Sequence, residues 1–214
     1  MSLLHNKSIV VTRAKEQQGE AQDLFRSLGA NVFDLPALVI GPPDSWKPLD
    51  DALQALNSFD WVIFSSSNGV RSVEDRLLRI KKKLSYFSGN LKIAAVGRKT
   101  AQSLEMIAVY PDFIPPDYIA DSIIKDFPVC VSGLNLLLPR VQTGGREVLS
   151  KTFSKLGANV LEVPAYNSSC PESIPTETIN QFANLSIDAI AFTSGKTASH
   201  TAILMEKTFG LDWL

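Results

Sequence analysis

The feature that most restricts the fold of this chain is an internal repeat. The sequence LGANVFDLP at residues 28–36 returns as LGANVLEVP at residues 156–164, with six identities in nine positions and an offset of 128 residues. The same offset aligns FDWVIFSS at residues 59–66 with IDAIAFTS at residues 187–194. Upstream, IVVTR ending at Arg13 matches LLLPR ending at Arg140, with an offset of 127 residues. Two copies of one structural plan are therefore expected in the chain.

Each copy alternates short apolar runs with amphipathic stretches of helical length. The apolar runs predict strands at residues 9–11, 32–35, 61–64, 93–96, 136–138, 160–163 and 189–192. The amphipathic stretches predict helices that include residues 16–28, 68–84, 99–108 and 146–156. Strands that are apolar on both faces need helices on both sides. The sheets are therefore expected to be parallel and the fold class to be doubly wound α/β.

Two proline-bounded segments, residues 35–43 and 163–171, indicate extended connectors between two domains. The outer α/β domain is predicted to combine residues 1–36 with 171–214, and the inner α/β domain to span residues 43–163. Residues 37–42 and 164–170 would be the connectors. We expect five strands in the inner domain, including an edge strand at 112–114, and three in the outer domain. The counterpart of the segment at Lys92 would begin near residue 220, so the outer domain is expected to lack its C-terminal strands.

Charge and composition argue against several classes of protein. Twenty-one Lys and Arg against 22 Asp and Glu leave a net charge of −1, which disfavours a nucleic-acid surface that dominates the molecule. The two cysteines lack CxxC spacing and the two histidines have no neighbours at metal-ligand spacing, so a Cys/His zinc site is not expected. We find no apolar run near the roughly 20 residues that cross a bilayer and no signal peptide before Thr12, and we expect a cytoplasmic protein.

Small hydroxyl residues, glycines and cations follow the predicted strands, where parallel α/β sheets bind their ligands. The candidate ligand-binding residues are Thr12, Arg13, Ser65, Ser66, Asn68, Gly97, Thr100, Arg140, Thr193, Ser194 and Lys196. Together they indicate a small polyanionic ligand. Two structural alternatives stay open, since serine, threonine and asparagine are also preferred helix N-caps, and the arginines could be solvated surface charges.

Motifs for the commonest cofactor and nucleophile chemistries are missing from the sequence. The first strand is not followed by GxGxxG, and the chain contains neither a Walker A sequence nor a GxSxG elbow. Hydride, phosphoryl and acyl transfer are therefore disfavoured. A Rossmann enzyme of nucleotide or sugar metabolism is for the same reason a weak alternative.

With these residues in place, the sequence resembles the uroporphyrinogen-III synthase family of tetrapyrrole biosynthesis. The motifs that carry the resemblance come in the family's order: VVTR, LGANV before a proline, DWVIFSSSNGV, AVGRKTA, PDFIPPDYIADSI, LLLPR, GREVL, VPAY and FTSGKTA. The resemblance implies two flavodoxin-like domains joined by two extended connectors. It implies neither a metal nor an organic cofactor.

The resemblance also implies a lyase activity. The substrate would be hydroxymethylbilane, a linear tetrapyrrole with eight carboxylates, which is cyclised with loss of water and inversion of its last pyrrole ring. The family's tyrosine on the second connector corresponds to Tyr166, which we take as the candidate general acid. From the residues alone, Tyr166 could equally be a packing residue.

The main alternative function is a two-lobed small-anion ligand-binding module without catalysis. In either case we expect a monomer whose partner is a small molecule, and neither a nucleic acid nor a membrane.

Overall fold

The fold is described from a computed structural model that covers residues 3–12, 19–87, 89–117, 120–144, 148–184 and 187–211. The chain divides into two compact units. The first unit consists of Met1–Ile40 with Ser168–Leu214, and the second consists of Gly41–Asn167. Arg13 and the first residues of the predicted helices 16–28 and 146–156 lie outside the described residues.

Short strands alternate with helices along most of the chain, as the sequence predicts. The strands are β1 (Ser8–Val11), β2 (Asn31–Asp34), β3 (Val39–Gly41), β4 (Trp61–Phe64), β5 (Lys92–Ala95), β6 (Asn135–Val141), β7 (Asn159–Ser169) and β8 (Ala189–Ala191). The helices are α1 (Gly19–Ser27), α2 (Lys47–Gln54), α3 (Ser67–Arg79), α4 (Arg98–Glu105), α5 (Ala120–Lys125), α6 (Val148–Lys155), α7 (Thr176–Ala183) and α8 (Gly195–Phe209).

The first unit contains a three-stranded sheet in the order β2-β1-β8, and both strand pairs are parallel. All four residues of the central strand β1 are buried, because neighbours cover it on both sides. The core of this unit is formed by apolar side chains from strands, loops and α8, namely Val10, Leu35, Ala37, Ile174, Leu204 and Met205.

The second unit contains a five-stranded sheet in the order β3-β7-β6-β4-β5. Strand β4 pairs in parallel with β5 and β6, and β6 pairs in parallel with β7. Alternate residues of β4 enter different cores, since Val62 and Phe64 belong to one buried cluster while Trp61 and Ile63 belong to another. The predicted parallel sheet with apolar residues on both faces is therefore confirmed.

The internal repeat is visible in the strand order. Strands β1, β2 and β8 match β6, β7 and β4 of the other copy in sequence, and the two triplets have the same order, β2-β1-β8 and β7-β6-β4. Parallel neighbours joined by helical crossovers accept only one handedness, so repeated sequences are expected to repeat their order. In the second unit β5 continues the sheet beyond β4.

The prediction of an edge strand at residues 112–114 was wrong, because this segment forms a single bridge and not a full strand. Only one parallel bridge joins Phe113 to Ala94, and the fifth strand of the sheet is β3 instead. Asp112 explains part of the difference, because its carboxylate accepts the backbone N–H of Ile93 at 2.9 Å in place of a ladder carbonyl. Two prolines follow directly after Ile114, and prolines have no N–H to extend the ladder.

Helix α3 ends earlier than the predicted residue 84. Lys81 has a left-handed backbone, with φ of 57°, and its N–H donates to the Leu78 carbonyl at 3.0 Å. The N–H of Lys82 donates to the Leu77 carbonyl, also at 3.0 Å. These two bonds form a Schellman motif, which closes the helix after Arg79 although the amphipathic pattern continues.

Candidate functional site

A cavity of about 290 Å³ lies at the carboxyl ends of the central strands of the second unit. Apolar side chains from β4, β6 and α6 line it together with polar side chains near the strand ends. The polar lining consists of Ser65, Ser66, Arg140, Glu162 and Tyr166. Four of these five were predicted from the sequence, and the structure brings them together because parallel strands end at the same edge of a sheet.

Ser66 begins helix α3 and also contacts the cavity. Its backbone is extended, with φ of −154° and ψ of 151°, and its side-chain oxygen accepts the N–H of Gly69 at 3.2 Å. This is the geometry of a helix N-cap. The expected N-cap role of Ser66 is therefore confirmed, and its hydroxyl proton stays available to a second partner.

The Ser66 hydroxyl donates to the phenol oxygen of Tyr166 at 3.0 Å. A continuous series of donors thus runs from the N–H of Gly69 through Ser66 to Tyr166. Each accepted hydrogen bond polarises the next O–H group, and the positive end of a helix dipole lies at the start of the series. The phenol proton of Tyr166 is the one that remains to be donated.

Tyr166 follows an irregularity in the pairing of β6 with β7. Arg140 is opposite Pro164, but Val141 is opposite Tyr166, so β7 carries one extra residue at this point. A β-bulge of this kind increases local twist and changes the direction of the side chains that follow. The ring of Tyr166 is half-buried against an apolar core cluster, while its hydroxyl reaches Ser66.

Gly69 brings the first turn of α3 close to the middle of the sheet. A Cβ atom at this position would lie 3.2 Å from the backbone carbonyl oxygen of Pro139 and 3.7 Å from the Phe64 ring. The first distance is shorter than an ordinary contact, and the oxygen belongs to strand backbone with little freedom to move. A residue without a side chain therefore lets α3 start close enough for Ser66 to reach the cavity.

Arg140 is paired with Glu162, which the sequence reasoning did not identify as a site residue. The guanidinium Nη1 lies 2.5 Å from Oε1 of Glu162, and the side chains are 17% and 31% exposed. An acidic residue inside an apolar strand was an available signal, since Asp34 occupies the matching position in the first copy of the repeat. That signal becomes specific only when the partner on the neighbouring strand is known.

The other predicted residues of the second unit are not part of the lining of this cavity. Asn68 accepts a hydrogen bond from Nη2 of Arg71 at 3.0 Å within α3. Gly97 is the N-cap of α4 and makes no side-chain cap, and Thr100 is buried in the first turn, where its N–H donates to the Gly97 carbonyl at 3.0 Å. These residues shape the second strand-end turn of the unit.

Thr12 and Thr193 belong to the strand ends of the first unit. Thr12 has no exposed surface, and its hydroxyl donates to the carbonyl of Ala191 at 2.8 Å. Thr193 is exposed, and its backbone N–H donates to the hydroxyl of Thr197 at 3.3 Å. The side chain of Thr12 therefore stabilises the pairing of β1 with β8.

Ser194 and Lys196 lie at the start of α8. Ser194 is its N-cap and forms a reciprocal capping box with Thr197. The ammonium group of Lys196 donates to the carbonyl and the hydroxyl oxygen of Ser168 at 2.8 and 2.6 Å. Lys196 is therefore hydrogen-bonded to the C-terminal end of strand β7.

In the described part of the chain, histidine, cysteine and carboxylate side chains do not form a cluster of three or more that could bind a metal ion. The helices in this part of the chain are all too short or too polar to span a bilayer.

The fold and the cavity define an α/β protein with parallel sheets and a hydroxyl- and guanidinium-lined site at the strand ends. A family model described as uroporphyrinogen-III synthase HemD matches residues 19–214. The uroporphyrinogen-III synthase of Synechococcus elongatus is 43% identical over 210 residues, which cover 98% of this chain and 79% of that protein. The chain belongs to the uroporphyrinogen-III synthase family.

A further relative agrees with this membership, and a solved structure shares the fold. A protein of Methanothermobacter thermautotrophicus named as a putative uroporphyrinogen-III synthase is 27% identical over 199 residues, 90% of this chain and 75% of its own length. A crystal structure of a mutant uroporphyrinogen III synthase from Thermus thermophilus superposes with a TM-score of 0.66 at 16% identity, covering 96% of this chain and 79% of that one. At this identity the superposition establishes the shared fold.

Proposed function

We propose that the cavity of the second unit forms part of the active site of a uroporphyrinogen-III synthase, a lyase that cyclises hydroxymethylbilane with loss of water and inversion of the terminal pyrrole ring. Family membership carries the activity, and the hydrogen-bonded Ser66–Tyr166 pair supports this location. The same membership favours the enzyme over a two-lobed anion-binding module. Porphyrin biosynthesis is the pathway that this activity serves.

The main task of the enzyme in this reaction is to position the terminal pyrrole ring for attack. When the hydroxyl group leaves the bilane, an azafulvenium cation forms, and its electrophilic carbon can be attacked by either the unsubstituted or the substituted carbon of the terminal pyrrole. Attack at the substituted carbon leads through a spiro intermediate to the inverted ring. The free bilane cyclises without inversion, so the protein has to favour one geometry over the other.

Tyr166 acts as the general acid for departure of the hydroxyl group. Its oxygen accepts a hydrogen bond from Ser66, which leaves its own proton directed to another acceptor. Donation of this proton to the leaving oxygen releases water and avoids expulsion of hydroxide. The phenol regains a proton when the terminal pyrrole carbon loses its hydrogen on ring closure, so the net change is loss of one water molecule.

The carboxylates of the substrate bind to strand-end turns. Arg140 and Ser65 supply donors at the cavity itself. The turns at residues 65–68 and 97–100 lie at the starts of α3 and α4, where the helix dipole favours negative charge, whereas Thr193, Ser194 and Lys196 stay predicted ligands. Among the predicted ligands, Thr12 has a structural role, because its hydroxyl bonds to the neighbouring strand β8. Arg13 remains a predicted carboxylate ligand.

The organisation of the two units supports a finer description of the fold. We propose that each is a flavodoxin-like domain, because the triplets β2-β1-β8 and β7-β6-β4 share one order and parallel direction. The domain bounds predicted from the connectors stay a prediction beside the observed units. A cytoplasmic monomer that binds neither nucleic acid nor membranes also stays a prediction.

The test is to supply fresh hydroxymethylbilane and determine the porphyrin isomer after oxidation. We expect isomer III from the wild-type chain, and a kcat lowered by about a hundredfold in Tyr166→Phe, which lacks the acid. Tyr110→Phe is the matched control, because Tyr110 is 74% exposed and is not among the residues that line the cavity. Formation of isomer I at the spontaneous rate by the wild-type chain would reject the activity, and an unaltered kcat in Tyr166→Phe would remove Tyr166 from the mechanism.

A further inference from the structure

We propose that Glu162 is a positioning residue for ring closure: it holds the guanidinium of Arg140 at the cavity wall so that the remaining N–H donors of Arg140 bind one substrate carboxylate near Tyr166. This inference rests on the proposed function of the cavity. It assigns a role to an anionic side chain in a site whose substrate is itself polyanionic.

The geometry of β6 and β7 holds the pair in one arrangement. In the parallel register Glu162 is opposite Leu138, two residues before Arg140 on β6, so the two side chains reach each other diagonally on one face of the sheet. The contact is 2.5 Å and joins Nη1 to a single carboxylate oxygen. Among the described residues, Glu162 is the partner observed for Arg140, so most donors of the guanidinium remain for a ligand of the cavity that Arg140 lines.

The charge of Glu162 has a second consequence. A free arginine at the wall would attract any of the eight carboxylates of the substrate, in many orientations. Pairing offsets its charge and fixes its long side chain, so a carboxylate bound here gains directed hydrogen bonds more than net Coulomb attraction. Such an arrangement favours a single orientation of the substrate over tight binding, which is what selection between two ring-closing carbons requires.

The chain provides a matched control for the loss of such a pair. Arg76 and Asp50 are also joined at 2.5 Å in the second unit, with side chains 16% and 32% exposed, and they lie outside the cavity lining. Asp50→Asn therefore removes an ion pair of nearly equal length and burial without touching the site. Any effect of Glu162→Gln that Asp50→Asn lacks belongs to the cavity.

The experiment compares kcat, KM and the isomer ratio of porphyrin in the two variants with hydroxymethylbilane as substrate. We expect Glu162→Gln to lower kcat on the order of tenfold and to increase the fraction of isomer I, with KM unchanged or lower, because the guanidinium is freed but misplaced. Asp50→Asn should retain all three values. Thermal melting of both variants checks that each is folded.

A second comparison tests whether Glu162 acts through Arg140. If it does, Arg140→Ala/Glu162→Ala should be no slower than Arg140→Ala alone, since the arginine to be positioned has gone. Glu162→Asp, which keeps the charge but withdraws it by one methylene, provides a folded variant with an intermediate kcat if Glu162→Gln is unstable.

Two results would overturn the proposal. One is a Glu162→Gln or Glu162→Asp enzyme with wild-type kcat and isomer ratio, and the other is a double variant whose loss equals the product of the two single losses. In both cases the wild-type chain still forms isomer III, so the proposed function stands. Failure of the wild-type chain to form isomer III would instead reject the function itself.

Discussion

Replacing Ser66 with alanine removes one oxygen atom that makes two hydrogen bonds. The oxygen caps α3 by accepting the Gly69 N–H at 3.2 Å, and its proton is donated to Tyr166 at 3.0 Å. Loss of an N-cap costs about 1 kcal/mol of stability. Loss of a half-buried hydroxyl–hydroxyl bond costs about 1 kcal/mol more. The free energy of unfolding of the second unit should therefore fall by about 2 kcal/mol in Ser66→Ala.

The catalytic effect of the same change can be separated from the loss of the cap. Glycine at an N-cap is only a few tenths of a kcal/mol worse than serine, so Ser66→Gly loses the bond to Tyr166 but little of the cap. We expect Ser66→Ala and Ser66→Gly to lower kcat equally, by roughly five- to tenfold, because the phenol loses the donor that polarises it. Ser66→Thr keeps the oxygen and should retain the activity.

Urea unfolding followed by circular dichroism measures the stability, and initial rates of isomer III formation measure the activity. We expect kcat to depend on the presence of the hydroxyl group and not on the stability of the variant. If Ser66→Gly were as active as the wild type while Ser66→Ala was impaired, activity would depend on the helix cap, and the donor series to Tyr166 would have no catalytic role.

Three further perturbations have outcomes that follow from the described geometry. Gly69→Ala should lower the free energy of unfolding by about 1 kcal/mol in urea denaturation, because overpacking against strand backbone outweighs the gain in helix propensity. Asp188 accepts hydrogen bonds from a lysine and from the backbone N–H of Ser8, which lower its pKa below its ordinary value of 3.8, so Asp188→Asn should be less stable than wild type at pH 7, with the difference closing as the pH falls below 3.8. Burial raises the pKa of the Cys170 thiol, whereas Cys130 is exposed, so a thiol reagent at pH 8 should modify Cys130 first.

For each of these three predictions, a control or a specific result would contradict it. Gly89→Ala is the control for Gly69→Ala, since its added Cβ would meet no atom within 4 Å, and equal stabilities of the two variants would contradict the argument. A stability difference for Asp188→Asn that persists at pH 2 would assign its cause to something other than the charge. Cys130→Ser should abolish the fast phase of labelling, and a fast phase that survives would place the reactive thiol at Cys170.

Much of the fold follows from local sequence patterns. Apolar runs of strand length, separated by amphipathic helices, predicted seven of the observed strands, because a strand covered on both faces must be apolar throughout. The edge strand predicted at residues 112–114 does not form in full, because a side-chain carboxylate replaces a ladder bond, which strand propensity does not register. The early end of α3 at Arg79 depends on the left-handed backbone of Lys81, which the hydrophobic period does not reveal.

The residues of the candidate site also fall into two groups, those that the sequence predicts and those that depend on tertiary contacts. The strand-end rule identified Ser65, Ser66 and Arg140, since it needs only the order of elements along the chain. The same rule does not predict that the side chains of Thr12 and Lys196 bond to the protein itself. Whether a hydroxyl or an ammonium group faces a ligand or the protein depends on the carbonyl groups nearest to it, and Ala191 and Ser168 lie far away in sequence.

The amino-acid sequence by itself determined the duplication, the parallel α/β sheets and the family, because these depend on periodicity and on ordered motifs. Only the tertiary structure decided which side chains meet, as with Ser66 and Tyr166, which are 100 residues apart, and Arg140 and Glu162 on neighbouring strands. The physical reason is that hydrogen bonds need agreement within a few tenths of an ångström. Register, a β-bulge and the close approach permitted by Gly69 set these distances, and no local pattern encodes them.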